Sequence, residues 1–143
     1  MGLVLILEKY YNSNMKPIVK KWIEISDYDY KTARAMYRSR RYLYVAFMCQ
    51  QSVEKILKAL ITQIEDDYPP KIHKLETLAL KANLSDELDA DQKDLLSELS
   101  FYYLNNRYPD FKAELSKLIN RKKSHELLKK TEKFLKWMKQ RIK

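Results

Sequence analysis

Four polar side chains that could bind a ligand interrupt the most apolar segment of this sequence. Gln50, Gln51, Glu54 and Lys55 lie within a stretch whose other positions are largely apolar. If the stretch is helical, Gln50 is a surface neighbour of Glu54, and Gln51 of Lys55, because residues four apart share a face. Polar groups on a core-facing surface require hydrogen-bonding partners. The cluster predicts either a surface that faces a nucleotide or a set of hydrogen bonds that joins two subunits at a dimer interface. We favour the hydrogen bonds between subunits.

A second candidate site is the tetrapeptide Arg107-Tyr108-Pro109-Asp110. Proline fixes one backbone dihedral angle, so this turn should be rigid. The planar guanidinium of arginine can pair bidentately with a phosphate. The turn therefore presents Arg107, Tyr108 and Asp110 to a nucleotide or RNA. In the alternative that we favour, Arg107 and Asp110 bond to each other or to Glu54 and lock the fold.

His73 is a further candidate because it follows a Pro-Pro turn and precedes a short helical pattern. Its ring could contact a ligand, but we favour a role in capping or packing that helix. The chain has one cysteine, Cys49, and its two histidines offer no zinc-like spacing. We therefore expect no metal, no cofactor and a reducing, cytoplasmic setting.

Cations alternate with aromatic rings between residues 34 and 44, a combination that can stack a base and hold its phosphate. The members are Arg34, Tyr37, Arg38, Arg40, Arg41, Tyr42 and Tyr44. The net charge of +9 comes from residues 111–143, which hold 12 Lys and Arg against three Glu. A basic C-terminal helix of this kind could attract RNA, which would make the chain a general RNA-binding protein. The alternative is a solvated, lysine-rich surface.

Helices must position these groups, because 143 residues with one glycine and four prolines favour long helices. Apolar residues recur at three- and four-residue steps in several segments. These segments are residues 18–40, 46–64, 75–82, 95–103 and 124–142, with a short helical turn around 115–119. No segment alternates long enough to predict a strand. Asn83 is a predicted C-terminal cap and Ser124 a predicted N-cap.

These patterns predict an all-α fold, an up-and-down bundle of four to five helices that forms a single domain over residues 16–143. Residues 1–15 are interpreted as an N-terminal extension. The apolar run at residues 3–7 is too short to span a membrane and lacks the features of a signal peptide. We therefore expect no membrane association.

Several fragments, taken in chain order, resemble the HEPN family of nucleotide-binding domains. They are Trp22, residues 46–60 with their Gln-Gln-x-x-Glu-Lys block, residues 69–75, and the Arg-Tyr-Pro-Asp turn within residues 106–110. The resemblance implies a helical bundle that pairs as a homodimer, often encoded beside a minimal nucleotidyltransferase in a toxin–antitoxin pair. The wide apolar stripe of residues 46–64 also suggests self-association. We predict a dimeric nucleotide-binding or RNA-associated partner of such a nucleotidyltransferase.

The resemblance also implies an alternative, since many HEPN proteins are metal-independent ribonucleases in which four to six residues separate an arginine from a following histidine. Arg107 has no histidine at that distance, and Arg121 precedes His125 with only three residues between them. A histidine that acts as general acid or base is therefore not where the family pattern puts it. A non-enzymatic role is favoured. A ribonuclease toxin would have to combine Arg107 with another group such as His73.

Overall fold

The computed structural model describes residues 15–142, so nearly all of the predicted N-terminal extension lies outside the described residues. The helices are α1 (Pro17–Arg38), α2 (Tyr42–Glu65), α3 (Leu75–Lys81), α4 (Ala90–Asn105), α5 (Pro109–Leu118) and α6 (Arg121–Arg141). No strand occurs in this part of the chain, which confirms the all-α prediction. The helical turn expected around residue 115 is the ten-residue α5, so the described bundle has six helices instead of four or five.

The central element is α2, which contacts every other described helix. Sixteen of its 24 residues are buried. A helix that is apolar on most sides is a core helix. The wide apolar stripe that suggests self-association is thus covered by α1, α3, α4 and α6 of the same chain.

The register of α1 against α2 is fixed by two buried serines. Ser26 Oγ donates to the Ser52 carbonyl at 2.7 Å, and Ser52 Oγ donates to the Ser26 carbonyl at 2.8 Å. Each hydroxyl is thereby satisfied in the core, and small side chains allow the two helices to approach closely. This register places Asp29 of α1 within 3.7 Å of Lys55 of α2.

Helix ends follow local chemistry. Asn83 adopts a left-handed conformation, with φ of 59°, directly after the C-cap residue Ala82. The N-cap of α6 is Asn120, whose side chain accepts from the Lys123 N–H at 2.9 Å. The prediction that Ser124 is this N-cap is wrong. The first turn of α6, which begins at Arg121, is polar, so apolar periodicity does not reveal it. None of the described helices is both long enough and apolar enough to cross a membrane.

Candidate functional site

A buried carboxylate on α2 organises the polar side chains selected from the sequence. The Glu54 side chain is 3% exposed. Its Oε1 accepts from Gln50 Nε2 at 3.2 Å and faces His73 Nδ1 at 3.0 Å, and its Oε2 accepts from Lys58 Nζ at 3.1 Å. We call Gln50, Gln51, Glu54, Lys58 and His73 the Glu54 centre. Three neighbours around one buried carboxylate offset the cost of removing its charge from water.

His73 belongs to the loop between α2 and α3 and is held at both its backbone and its ring. Gln50 Nε2 donates to the His73 carbonyl at 3.1 Å, and the ring lies 5.9 Å from that of Tyr103 on α4. The N-cap position of α3 is occupied by Lys74, whose side chain makes no cap bond. Of the capping or packing role favoured for His73, the structure supports packing and not capping. Its side chain nevertheless remains 53% exposed.

The protonation state of Glu54 determines which ring nitrogen of His73 is available. Burial raises the pKa of Glu54, but the hydrogen bond with His73 and the charge of Lys58 oppose it, and the net pKa lies below the usual value. The carboxylate is then an acceptor only, so His73 Nδ1 must carry the proton that is shared with it. In the neutral ring Nε2 is unprotonated. No described side chain hydrogen-bonds to that nitrogen.

Gln51 and Lys55 extend this network towards α1. Gln51 Nε2 donates to Gln50 Oε1 at 2.9 Å, and Lys55 Nζ donates to Gln51 Oε1 at 2.8 Å. Burial raises the pKa of Asp29, and the nearby Lys55 ammonium opposes that rise. The pairs expected from helical spacing are therefore hydrogen-bonded, and partners from the same chain satisfy them. A second subunit is not needed to supply those partners.

The Arg107-Tyr108-Pro109-Asp110 turn leads from α4 into the first two residues of α5, and all four of its residues are exposed. Across residues 15–142, neither Arg107 nor Asp110 forms an ion pair or a side-chain hydrogen bond. The favoured locking role is therefore wrong, because Glu54 already has its partners. The structure brings together Gln51, Glu54, Lys55 and His73, and it makes no bond from Arg107, Tyr108 or Asp110 to them.

Lys58 and Asp29 are parts of the network that sequence reasoning missed. Lys58 lies four residues after Glu54, a spacing that could have identified it. Its ammonium also lies 5.8 Å from the centroid of the Trp22 ring. Asp29 had no comparable local signal, since its approach to Lys55 depends on the register of α1 against α2.

The basic and aromatic stretch near residue 40 separates into two groups. Tyr37 is a packing residue, with its ring 5.9 Å from that of Tyr42 and 5.7 Å from that of His125. Four other members line an open cleft of about 420 Å³ between the start of α2 and α5. The lining residues are Arg40, Arg41, Tyr42, Leu43, Tyr44, Lys112, Ser116 and Ile119. We call this concavity the α2–α5 cleft.

The basic C-terminal helix carries much of its charge in ion pairs. Lys123 pairs with Glu98, Lys130 with Glu126, Lys136 with Glu132, and Lys139 with Asp27. Exposed pairs of this kind reduce the free positive charge of a surface and contribute little stability. Of the two interpretations of α6, the geometry thus favours a solvated surface. No three His, Cys, Asp or Glu side chains of the described chain are grouped to hold a metal ion.

The described chain is a helical bundle whose central helix buries an ionised glutamate beside a half-exposed histidine. The sequence model of the HEPN domain matches residues 19–142, so the chain belongs to the HEPN family. The crystal structure of TT1696 from Thermus thermophilus is similar, with a TM-score of 0.72 over 85% of this chain and 96% of that chain. At 21% sequence identity the likeness concerns the fold alone. No protein of curated function matches the sequence.

Proposed function

We propose that this chain is a dimeric HEPN protein that binds a nucleotide or RNA, with its ligand contacts at the exposed edge of the Glu54 centre. The observation that carries the proposal is the position of His73, a half-exposed ring oriented by a buried carboxylate. A ring with a purely structural role would stabilise the fold more if it were buried. Beside it lie Gln51 and the partly buried Lys55, whose charge Asp29 and Glu54 partly neutralise.

We extend the proposal to a protein partner, a minimal nucleotidyltransferase in a toxin–antitoxin pair in the cytoplasm. Membership of the HEPN family and the resemblance of the Arg-Tyr-Pro-Asp turn support it. The exposed Arg107 and Asp110 offer unpaired charges to such a partner. An adjacent nucleotidyltransferase gene, co-purification of its product, and loss of that co-purification in Arg107→Ala would test it.

Self-association is supported by α5, which buries little of its apolar surface. Phe111 is 47% and Leu118 55% exposed, and Leu115 is the buried residue of this helix. Large exposed apolar side chains on one helix are typical of an interface. In sedimentation experiments we expect a dimer that Phe111→Lys dissociates and that Leu80→Lys, a change at an exposed leucine of α3, leaves intact. A wild-type monomer would refute the dimer.

The binding proposal can be tested without disturbing the core. His73→Asn keeps an N–H group that can reach Glu54 but removes the Nε2 edge. We expect this change to weaken binding of ADP or a single-stranded RNA of about ten nucleotides by about tenfold in calorimetric titrations. His125→Asn, at the other histidine, is the matched control and should bind normally. Equal affinities for wild type and His73→Asn would exclude His73 from the ligand site.

The position of His73 favours a second candidate function, a metal-independent ribonuclease, because its Nδ1 faces Glu54 and its Nε2 makes no bond to a described side chain. This nitrogen would take the proton of a ribose 2′-hydroxyl as its oxygen attacks the adjacent phosphorus. The 5′-oxygen would leave with a proton from water, and a 2′,3′-cyclic phosphate would remain. General base catalysis of this type contributes a factor of about 10² to 10⁴. Cleavage of RNA in chelator should then be lost in His73→Asn and kept in His125→Asn. If the protein binds RNA without cleaving it, the ribonuclease is excluded and the non-enzymatic binding function remains.

A further inference from the structure

We propose that the α2–α5 cleft is a second ligand site, which binds the phosphate of a nucleotide or of single-stranded RNA. The inference does not depend on the Glu54 centre. The cleft is open and measures about 420 Å³, within the range of small-ligand sites. Three cations and two tyrosines line it, as a phosphate joined to an aromatic base requires.

The cations of the cleft are not neutralised by the protein. In the described part of the chain, no carboxylate lies within ion-pair distance of Arg40, Arg41 or Lys112. Four lysines of α6, in contrast, are paired with Glu or Asp. Unpaired cations around a concavity attract phosphate, and the guanidinium fork suits its oxygens.

The acidic residues of α5 lie away from the cleft. Lys112 and Ser116, four residues apart on one side of α5, line the cleft together with Ile119, the residue that follows the helix. At 100° per residue, Asp110 and Glu114 project from the other side of α5. Its acidic residues therefore do not oppose an anion in the cleft.

Two structural details concern the cations that line the cleft. Lys112 Nζ donates to the Tyr44 hydroxyl at 3.4 Å and lies 5.7 Å from the centroid of that ring. Arg40 has φ of 64°, in the left-handed region that favours glycine or asparagine. An arginine that lines the cleft therefore stands where local backbone preference alone would select another residue.

The cleft and the Glu54 centre share one face of α2. Tyr44, Gln51 and Lys58 are seven residues apart, which places them in a row along the helix. Tyr44 of the cleft is therefore about 10 Å from Gln51 along the axis. A single strand of RNA with its phosphate in the cleft would extend over the exposed edge of the Glu54 centre.

Charge-matched double variants test the cleft. Arg41→Gln with Lys112→Gln removes two cleft cations, whereas Lys21→Gln with Lys117→Gln removes two exposed cations that lie outside the lining, on α1 and on α5. We measure binding of ADP and of a labelled single-stranded RNA of about ten nucleotides over a range of salt concentrations. The cleft variant should weaken binding by tenfold or more, on the order of 1.4 kcal/mol. Its slope of log K against log salt should fall by about 1.4 for two lost phosphate contacts.

The two ligands separate the sources of the phosphate. Loss of RNA binding alone would identify a strand, loss of ADP binding alone would identify a free nucleotide, and either result supports the cleft. Equal weakening in the two double variants would show attraction by net charge and overturn the proposal. The proposal would also be overturned if the wild-type protein bound neither ADP nor the RNA. If His73→Asn weakens binding and the cleft variant does not, the ligand site is the Glu54 centre and the cleft is excluded.

Discussion

The Glu54 centre and the turn between α4 and α5 place similar charges in opposite environments. The carboxylate of Glu54 is buried and has Gln50, His73 and Lys58 within hydrogen-bond distance. Asp110 and Arg107 are exposed and form no ion pair with any residue from 15 to 142. The buried carboxylate of the first region therefore has its partners within the chain, whereas the charges of the second have none there.

The difference follows from the cost of removing a charge from water. A buried ion that loses its partner leaves an uncompensated charge, which costs about 3–5 kcal/mol. An exposed charge stays solvated, so its removal changes stability little. Removing a charged side chain should therefore lower the free energy of unfolding far more at the Glu54 centre than at the turn.

The largest effect is expected for Glu54→Ala. The change removes the ion-pair partner of Lys58, whose side chain is 8% exposed. The free energy of unfolding should fall by about 3–5 kcal/mol, measured by urea denaturation. The double variant Glu54→Leu with Lys58→Met is the control, because it removes both charges and fills the space with apolar groups. It should recover most of the loss. If the double variant is as unstable as Glu54→Ala, an unpaired charge is not the cause.

Acid should reproduce part of that loss. Because the folded state holds the pKa of Glu54 below its ordinary value of 4.5, the unfolded chain takes up this proton more readily. The contribution of Glu54 is fully present above that value and declines as the pH falls through the lower, folded pKa. Wild-type protein should lose stability more steeply than Glu54→Gln between about pH 5 and 3. Parallel curves for the two proteins would contradict this assignment.

A smaller effect is expected for His73, since its ring is half-exposed. Loss of its bond to Glu54 in His73→Ala should lower the free energy of unfolding by about 1 kcal/mol, below the range for buried bonds to charged groups. His73→Asn, which can still donate to Glu54, should lose less. The order is checked by urea denaturation of both variants. A loss as large as that of Glu54→Ala would show that the ring is a structural element.

Periodicity predicted most helices because their apolar faces are buried, as α2 shows. It predicted α5 only as a turn, since Leu115 alone among its residues is buried and one such residue gives no stripe. Within α2, the pairs Gln50–Glu54 and Gln51–Lys55 follow from helix geometry and were predictable. The contact of Glu54 with His73 joins a helix to a loop 19 residues away, which is set by packing. Sequence could not determine that Arg107 is exposed.

The smallest effect on stability is expected for Arg107→Ala, at most about 0.5 kcal/mol in either direction. Combined with Glu54→Gln, its effect should add within about 0.5 kcal/mol, because no bond joins the two residues in one chain. A larger coupling in the double-mutant cycle would contradict the separation of the two regions. It would mean that Arg107 of one subunit reaches the Glu54 centre of the other. Repeating the cycle in Phe111→Lys, in which we expect the dimer to dissociate, would decide between these outcomes, since only a coupling across the interface should disappear.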